Sequence, residues 1–135
     1  MKKAEEIVLL YSFIDEQKLQ RIEHVLIKQT IKCKVLADDM HREKIGYLLG
    51  KPGFNEMPVK EDGFVFPHEV MVFYNIKGKR LDQVLLALKN EAIAHVKFKA
   101  VVTPFNMLWT LRRLCETLQR EHAATVNKEE LCDEK

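Results

Sequence analysis

The chain has 135 residues, of which 47% are hydrophobic and 31% are charged, so it contains enough apolar material for one core and too little length for two full domains. Its 22 basic and 20 acidic residues leave a formal charge of +2, without the basic excess typical of proteins that bind nucleic acids or anionic membranes. We therefore expect one domain with no nucleic-acid or membrane partner.

The three cysteines, Cys33, Cys115 and Cys132, are odd in number and widely spaced, and they form no C-x-x-C pair. This pattern is typical of reduced thiols in the cytoplasm and suggests neither a disulfide framework nor a zinc ribbon. We expect no metal site and no cofactor. The N-terminus lacks the apolar segment of a signal peptide, and no apolar run approaches the roughly 18 residues that span a bilayer. The sequence therefore predicts a cytoplasmic protein.

The first half of the chain predicts a β-α-β unit. Residues 7–13 form a nearly continuous apolar run of β-formers, which is typical of a strand buried on both faces. Apolar residues at three- and four-residue spacing then predict an amphipathic helix from Asp15 to Gln29, with Asp15 as its N-cap. Residues 31–36 alternate between apolar residues and lysines, which indicates a half-exposed edge strand.

The second half repeats this order. Residues 70–74 predict another buried strand, and residues 96–102 predict another alternating strand. Between them, a helix is predicted whose apolar stripe matches the spacing of the stripe in the first half and consists of Leu81, Val84, Leu85 and Leu88. We expect an α+β fold of the ferredoxin-like type, a split βαβ repeat (βαββαβ) in which the first strand of each unit is central and the second is an edge. A flavodoxin-type open sheet is the competing arrangement, but four strands are few for it.

Two segments lie outside the repeat. The insertion 37–69 is rich in glycine and proline, and we expect one or two helical turns within residues 41–49 before irregular chain. After the last strand, Thr103 and Pro104, or Asn106 one turn later, predict the start of an extra C-terminal helix. Its apolar stripe consists of Leu108, Leu111, Leu114, Cys115 and Leu118. This helix or a partner subunit is expected to cover the open face of the sheet. The predicted domain is residues 1–122, followed by a frayed, charged tail over 123–135.

Several stretches carry a family resemblance. Residues 99–109 read KAVVTPFNMLW, and the first half contains an LLYSF strand and a GYLLG stretch. In these stretches the chain resembles the bacterial family known as domain of unknown function 3783, over about its first 122 residues. Members share a T-P-x-N-x-x-W core, and Phe105 stands where a small polar residue is more usual. The resemblance implies a fold and a bacterial source, and it brings no established activity.

The T-P-x-N-x-x-W core is the strongest candidate site. In a structural interpretation, Thr103 caps a helix, Pro104 occupies its first turn and Asn106 hydrogen-bonds local backbone, while Trp109 packs on the strand end. Alternatively, the N–H groups at this helix start bind an anion or a small ligand, with Lys99 a few residues upstream.

Trp109 falls opposite the predicted apolar stripe on a helical wheel. It is therefore expected either to close over the insertion, near Tyr47 or Phe54, or to anchor a partner or ligand. Gly46 and Tyr47 join the candidate ligand or interaction residues for this reason.

No catalytic arrangement is evident. A cluster at the start of the insertion could ligate a metal but lacks zinc or calcium spacing, and we interpret its members as solvated: Asp38, Asp39, His41 and Glu43. The glycines of residues 46–53 lack the spacing of a phosphate-binding loop.

We therefore expect a non-enzymatic interaction or regulatory domain that forms a homodimer through its sheet or third helix. The alternatives are a small-ligand or anion sensor that uses the helix start after Pro104, an RNA-binding module that uses the lysines of the edge strands, and contact with a different protein partner.

Overall fold

A computed structural model describes residues 5–57, 63–91, 93 and 96–133, and its centre is a four-stranded mixed sheet with helices on both faces. The elements in chain order are β1 (Ile7–Tyr11), α1 (Glu16–Lys28), β2 (Lys32–Leu36), a 3-10 turn (Asp38–Arg42), α2 (Ile45–Leu48), β3 (Val70–Tyr74), α3 (Gly78–Asn90), β4 (Phe98–Val101), a second 3-10 turn (Asn106–Leu108) and α4 (Leu111–Asp133). Residues 58–62 of the predicted insertion and 134–135 of the predicted tail lie outside the described residues. Helix α4 continues through 123–133, where a frayed tail was expected.

The strand order is β2-β1-β3-β4, with β1 parallel to β2, β3 parallel to β4, and the central pair antiparallel. This confirms the prediction that the wholly apolar strands are central and the lysine-bearing strands are edges. The ferredoxin-like split is not confirmed, because it requires a strand of the other unit between β1 and β2, and here these two strands are neighbours. Both topologies place the apolar strands centrally, so strand polarity alone could not distinguish them.

The two halves are related by an approximate two-fold axis normal to the sheet. Each half has the order strand, helix, strand, 3-10 turn, helix. In the central pair, Leu9 of β1 lies opposite Val72, the equivalent residue of β3. Lys44 and Thr110, which directly precede α2 and α4, form an isolated antiparallel bridge. The axis therefore passes between Leu9 and Val72 and through this bridge.

Reciprocal hydrogen bonds around the bridge follow the same symmetry. The N–H of Ile45 donates to the carbonyl of Trp109 at 2.9 Å, and the N–H of Leu111 donates to the carbonyl of Glu43 at 2.9 Å. Because Ile45 and Leu111 each begin a helix at equivalent positions, the start of α2 is fixed against the start of α4.

One face of the sheet is covered by α1 and α3. Asp15 caps α1 as predicted, since its Oδ1 accepts from the N–H of Lys18 at 3.1 Å. The stripes of both helices pack on the alternate residues of β1 and β3, and the buried members are Val8, Leu10, Ile22, Val25, Leu26, Met71, Phe73, Val84 and Leu88. The prediction that Leu88 belongs to the main core is confirmed.

The opposite face is covered from within the chain, by α4 and by the insertion. Its buried residues are Ile7, Leu9, Tyr11, Leu36, Ile45, Leu48, Leu49, Phe66, Val70, Val72, Phe98, Val102, Leu111, Leu114 and Cys115. The expectation of a helical turn or two in residues 41–49 is confirmed. Because the insertion completes the cover, the central strands do not need a partner subunit to bury their second face. Among the described residues no helix has the length and the apolar composition to cross a membrane.

Candidate interaction site

The T-P-x-N-x-x-W segment is a clamped turn between β4 and α4. The N–H of Thr103 donates to Oδ1 of Asn106 at 2.7 Å, and the N–H of Asn106 donates to Oγ1 of Thr103 at 3.1 Å, a reciprocal pair of the capping-box kind. Nδ2 of Asn106 also donates to the carbonyl of Val101 at 3.0 Å. Asn106 is buried, so its side chain holds the turn from inside. The local-backbone role expected of Asn106 is confirmed.

The helix start differs from the sequence prediction. Residues 106–108 form a 3-10 turn, Trp109 is extended with φ −80° and ψ 153°, and α4 begins only at Leu111. Thr110 then caps α4, because its Oγ1 accepts from the N–H of Arg113 at 3.1 Å. The bond from Ile45 to the Trp109 carbonyl explains the interruption, since an extended Trp109 is required for antiparallel pairing with the insertion. Pro104 therefore precedes a turn and does not begin the C-terminal helix.

Trp109 is a half-buried side chain on the apolar cluster below α4. The guanidinium of Arg113 lies over its ring at 4.4 Å from the centroid. Tyr47 is also half-buried on the same cluster, and α2 contacts the 3-10 turn at residues 106–108. This placement favours the interpretation in which Trp109 closes over the insertion.

Gly46 and Tyr47 belong to α2, beneath the irregular chain that follows it. A Cβ on Gly46 would lie 2.3 Å from the ring of Phe54, so only glycine allows this ring to rest on the helix. Burial, and then the carboxylates of Glu56 and Glu43, raises the pKa of the Tyr47 hydroxyl. Gly46 thus lets the chain of the insertion pack closely on α2.

Lys99 is separated from the other candidate residues by the sheet itself. Its neighbours Phe98 and Ala100 on β4 face α4, so Lys99 points to the face covered by α1 and α3. It lines a cavity of about 420 Å³ there, together with Lys89 and the apolar residues Ile22, Met71, Leu85, Leu88, Ile93 and Val96. Burial, and then the charge of Lys18, lowers the pKa of the Lys99 ammonium.

Several donors of the predicted anion site at the helix start are occupied. The N–H groups of Thr103 and Asn106 bond each other's side chains, and that of Leu111 bonds the carbonyl of Glu43. A ligand at this point would compete with bonds already made. The structure thus assigns these polar residues to the turn.

The outward side of the same turn is apolar. Phe105 is 80% exposed and Leu108 is 63% exposed, although Leu108 was predicted to join the buried stripe of α4. Side chains three residues apart in a 3-10 turn lie on the same side. Phe105 and Leu108 therefore form one apolar patch, which we call the apolar tip.

The equivalent turn of the first half shows that the fold does not require apolar residues here. Counting back from the paired Lys44 and Thr110, Asp39 is equivalent to Phe105 and Arg42 to Leu108. The two turns close with equivalent hydrogen bonds. The N–H of Glu43 donates to the carbonyl of Met40, and the N–H of Trp109 donates to the carbonyl of Asn106. One copy of the turn thus has charged residues where the other has exposed hydrophobic ones.

Two members of the acidic cluster at residues 38–43 are buried, which corrects the expectation that all four are solvated. His41 stacks on Phe64 with centroids 4.9 Å apart, and its Nδ1 lies 2.9 Å from the carbonyl of Asp38. The carboxylate of buried Glu43 accepts from the N–H of Met57 at 3.1 Å. No group of three or more metal-ligating side chains occurs in the part of the chain that the structure describes.

The edge lysines proposed for RNA contact are not brought together. Lys32 and Lys34 belong to β2, whereas Lys99 belongs to β4 and Lys97 directly precedes it, at the opposite edge of the sheet. Nζ of Lys34 donates to the carbonyl of Leu48 at 3.0 Å, so this lysine has a structural role.

Fold and site together define a small α+β domain of two β-α-β units related by an approximate two-fold axis, with a clamped turn that exposes an apolar tip. Residues 69–125 match the family model described as Domain of unknown function (DUF3783), which confirms the resemblance over that segment. The match spans the second of the two symmetric units, from β3 into α4, and includes the whole T-P-x-N-x-x-W turn. No curated protein and no solved structure matches the chain.

Sequence reasoning missed the apolar tip. The signal for it was Phe105 itself, a large apolar residue between a proline and an asparagine, where a solvent-facing turn residue is usual. The periodicity of the helix that follows placed Leu108 in the buried stripe, because the extended Trp109 could not be anticipated.

Proposed function

We propose that the protein is a non-enzymatic, cytoplasmic interaction domain that self-associates, and that the apolar tip is its contact element. The observation that carries this proposal is the exposure of Phe105 and Leu108 on a clamped turn whose symmetric counterpart carries Asp39 and Arg42. Adjacent exposed hydrophobic residues that the fold does not require are typical of contact sites.

Preorganisation supports this role. The turn is held by the three hydrogen bonds of Asn106, so binding would cost little conformational entropy in its backbone. Burying a phenylalanine and a leucine stabilises a contact by about 1.5–3 kcal/mol each, which offsets only part of the cost of association. We therefore expect self-association of moderate strength, with dissociation constants from micromolar to millimolar.

The alternative site of self-association, the sheet edges, has less support. Both edge strands carry lysines, Lys32 and Lys34 on β2 and Lys99 on β4, and such residues oppose pairing with another strand.

The test is sedimentation equilibrium across about 10 µM to 1 mM protein, a range suited to contacts of this strength. The double variant Phe105→Asp/Leu108→Arg gives the tip the residues of the equivalent turn. We expect the average mass of the wild type to rise with concentration and that of the variant to remain monomeric.

The matched control changes two other exposed hydrophobic residues, Ile27 of α1 and Leu86 of α3, which are 65% and 56% exposed. The variant Ile27→Asp/Leu86→Arg should associate like the wild type. A monomeric wild type at every concentration, or equal effects of the two double variants, would contradict the proposal.

A second candidate function, binding of a small organic anion, is favoured by the cavity at Lys99. Its apolar lining with Lys89 and Lys99 suits a molecule with an apolar body and one carboxylate, such as octanoate. Thermal-shift measurements should show stabilisation by octanoate and not by octanol, and Lys99→Gln should remove it. Lys97→Gln, which changes a nearby lysine outside the cavity lining, is the control. Equal thermal stabilisation by octanol and octanoate would refute a site that recognises the carboxylate.

A further inference from the structure

A groove opens at the end of the sheet opposite the apolar tip. It has a volume of about 440 Å³, and its lining includes Ser12, Ile14, Val35, Asp38, Val65 and Phe66. We call it the end groove. Its rim exposes three large apolar side chains, with Ile14 87%, Val65 77% and Val35 51% exposed. A monomer gains nothing by leaving three such residues in water around one concavity.

The end groove is preformed by the turn after β1. Ser12 has φ +64°, an unusual conformation for a residue other than glycine, and its Oγ donates to the carbonyl of Phe66 at 2.6 Å. This bond fixes the segment of residues 64–67 over the C-terminal ends of β1 and β2. The bond thus ties the wall formed by residues 64–67 to the turn after β1.

The end groove and the apolar tip lie at opposite ends of the sheet because the two units are antiparallel. The groove follows the C-terminal ends of β1 and β2, whereas the tip follows the C-terminal end of β4. Since β1 and β3 are antiparallel, these ends point in opposite directions. A molecule therefore has an apolar projection at one end and an apolar concavity at the other.

Acidic residues predominate among the exposed charges at the groove end, and lysines predominate at the tip end. Exposed acidic residues flank the end groove, namely Asp15 at the start of α1 and Asp38 and Asp39 after β2. At the end that carries the tip, Lys77 and Lys79 are exposed at the start of α3, and Lys32 is exposed at the start of β2. Each end also exposes a charge of the other sign: Glu5 before β1 at the tip end and Lys97 before β4 at the groove end. Opposite charges would attract when the two ends meet, whereas like charges would repel when two tips or two grooves meet.

We propose that the end groove receives the apolar tip of a second copy of this chain, in a head-to-tail contact. This inference rests on the proposed self-association and names the surface that the tip contacts. A contact between different surfaces leaves a free tip and a free groove on every complex, so assembly continues past the dimer as concentration rises. A symmetric tip-to-tip dimer would stop at two chains and would bring the two lysine-bearing ends together.

The experiment uses two full-length variants with one defective end each. Phe105→Asp/Leu108→Arg removes the tip, and Ile14→Asp/Val65→Asp removes the apolar rim of the groove. All four positions are exposed, so both variants should keep the melting temperature of the wild type. If the groove variant is unstable, Val35→Lys alters the same rim at a single half-exposed position.

Each variant alone should remain monomeric at concentrations where the wild type forms dimers and larger species. An equimolar mixture should form a complex of two chains and no larger, because the intact tip of one variant fits the intact groove of the other. Light scattering measures the mass, and an affinity tag on one variant measures capture of the other. Raising the salt concentration should weaken this capture, since the charge attraction is screened.

The outcomes separate the two proposals. If the wild type stays monomeric, the proposed self-association fails and the head-to-tail contact fails with it. If the tip variant is monomeric but the groove variant associates like the wild type, the tip is a contact element and the groove assignment is wrong. If both variants are monomeric but the mixture forms no two-chain complex, the head-to-tail arrangement is overturned.

Discussion

Replacing Asn106 with alanine tests whether the clamped turn depends on one buried amide. The substitution removes the acceptor for the N–H of Thr103, at 2.7 Å, and the donor to the carbonyl of Val101, at 3.0 Å. Each buried polar group left without a partner costs about 1–3 kcal/mol. Thr103 and Val101 are partly exposed, so water replaces some of each bond. We therefore expect Asn106→Ala to lower the free energy of unfolding by about 2–3 kcal/mol.

Urea denaturation followed by circular dichroism measures this change. With a slope of about 1–3 kcal/mol per molar urea, the midpoint should fall by about 0.7–3 M while the slope stays constant. Thr103→Ser is the matched control, because it keeps the hydroxyl that accepts from the N–H of Asn106 at 3.1 Å. A free energy of unfolding for Asn106→Ala within about 0.5 kcal/mol of the wild-type value would refute the clamp, since surface substitutions without structural roles have effects of this size.

Four further predictions concern the core, the insertion and a buried thiol. Leu88→Ala should lower the free energy of unfolding by about 2–5 kcal/mol in denaturant melts, because Leu88 is buried between α3 and the sheet. Gly46→Ala should cost about 1–3 kcal/mol in the same assay, since the new methyl group would collide with the ring of Phe54. Trp109→Ala should lower the melting temperature and leave the mass distribution unchanged; a changed mass with an unchanged melting temperature would instead indicate a partner contact. Burial, and then the charge of Glu116, raises the pKa of the Cys115 thiol from 9.0 to about 12. Between these two pH values, therefore, the thiol is deprotonated in the unfolded chain and protonated in the folded chain. The free energy of unfolding should therefore fall with rising pH by up to about 1.4 kcal/mol per pH unit from this thiol, and Cys115→Ala should show a shallower fall.

The local elements followed from the sequence because each depends on neighbours within a few residues. The apolar run at residues 7–13 predicted β1, and Asp15 predicted the start of α1, where its carboxylate accepts from Lys18. The hydrogen-bonding role of Asn106 was likewise predictable, since its partners Thr103 and Val101 lie within five residues. The end of β4 and the start of α4 were less predictable, because the extended Trp109 is set by a bond to Ile45, far away in the chain.

The candidate site was predicted only in part. The sequence placed Lys99 near the helix start, but alternation along β4 directs it to the opposite face of the sheet from Trp109. The sequence also placed Leu108 in the buried stripe, and the 3-10 turn exposes it. The first error follows from treating neighbours in sequence as neighbours in space, and the second from extending the periodicity of α4 back across the extended Trp109.

The sequence by itself determined which strands are central, which helix faces are apolar, and that the second half repeats the first, because hydrophobic periodicity is a local property of the chain. Only the tertiary structure decided that β2 lies beside β1, that the insertion and α4 share the second face, and that the halves meet about an axis at Lys44 and Thr110. These features depend on contacts between segments distant in sequence, where several pairings bury similar apolar area. The choice among them is made by the summed fit of all side chains and hydrogen bonds, which no single segment encodes.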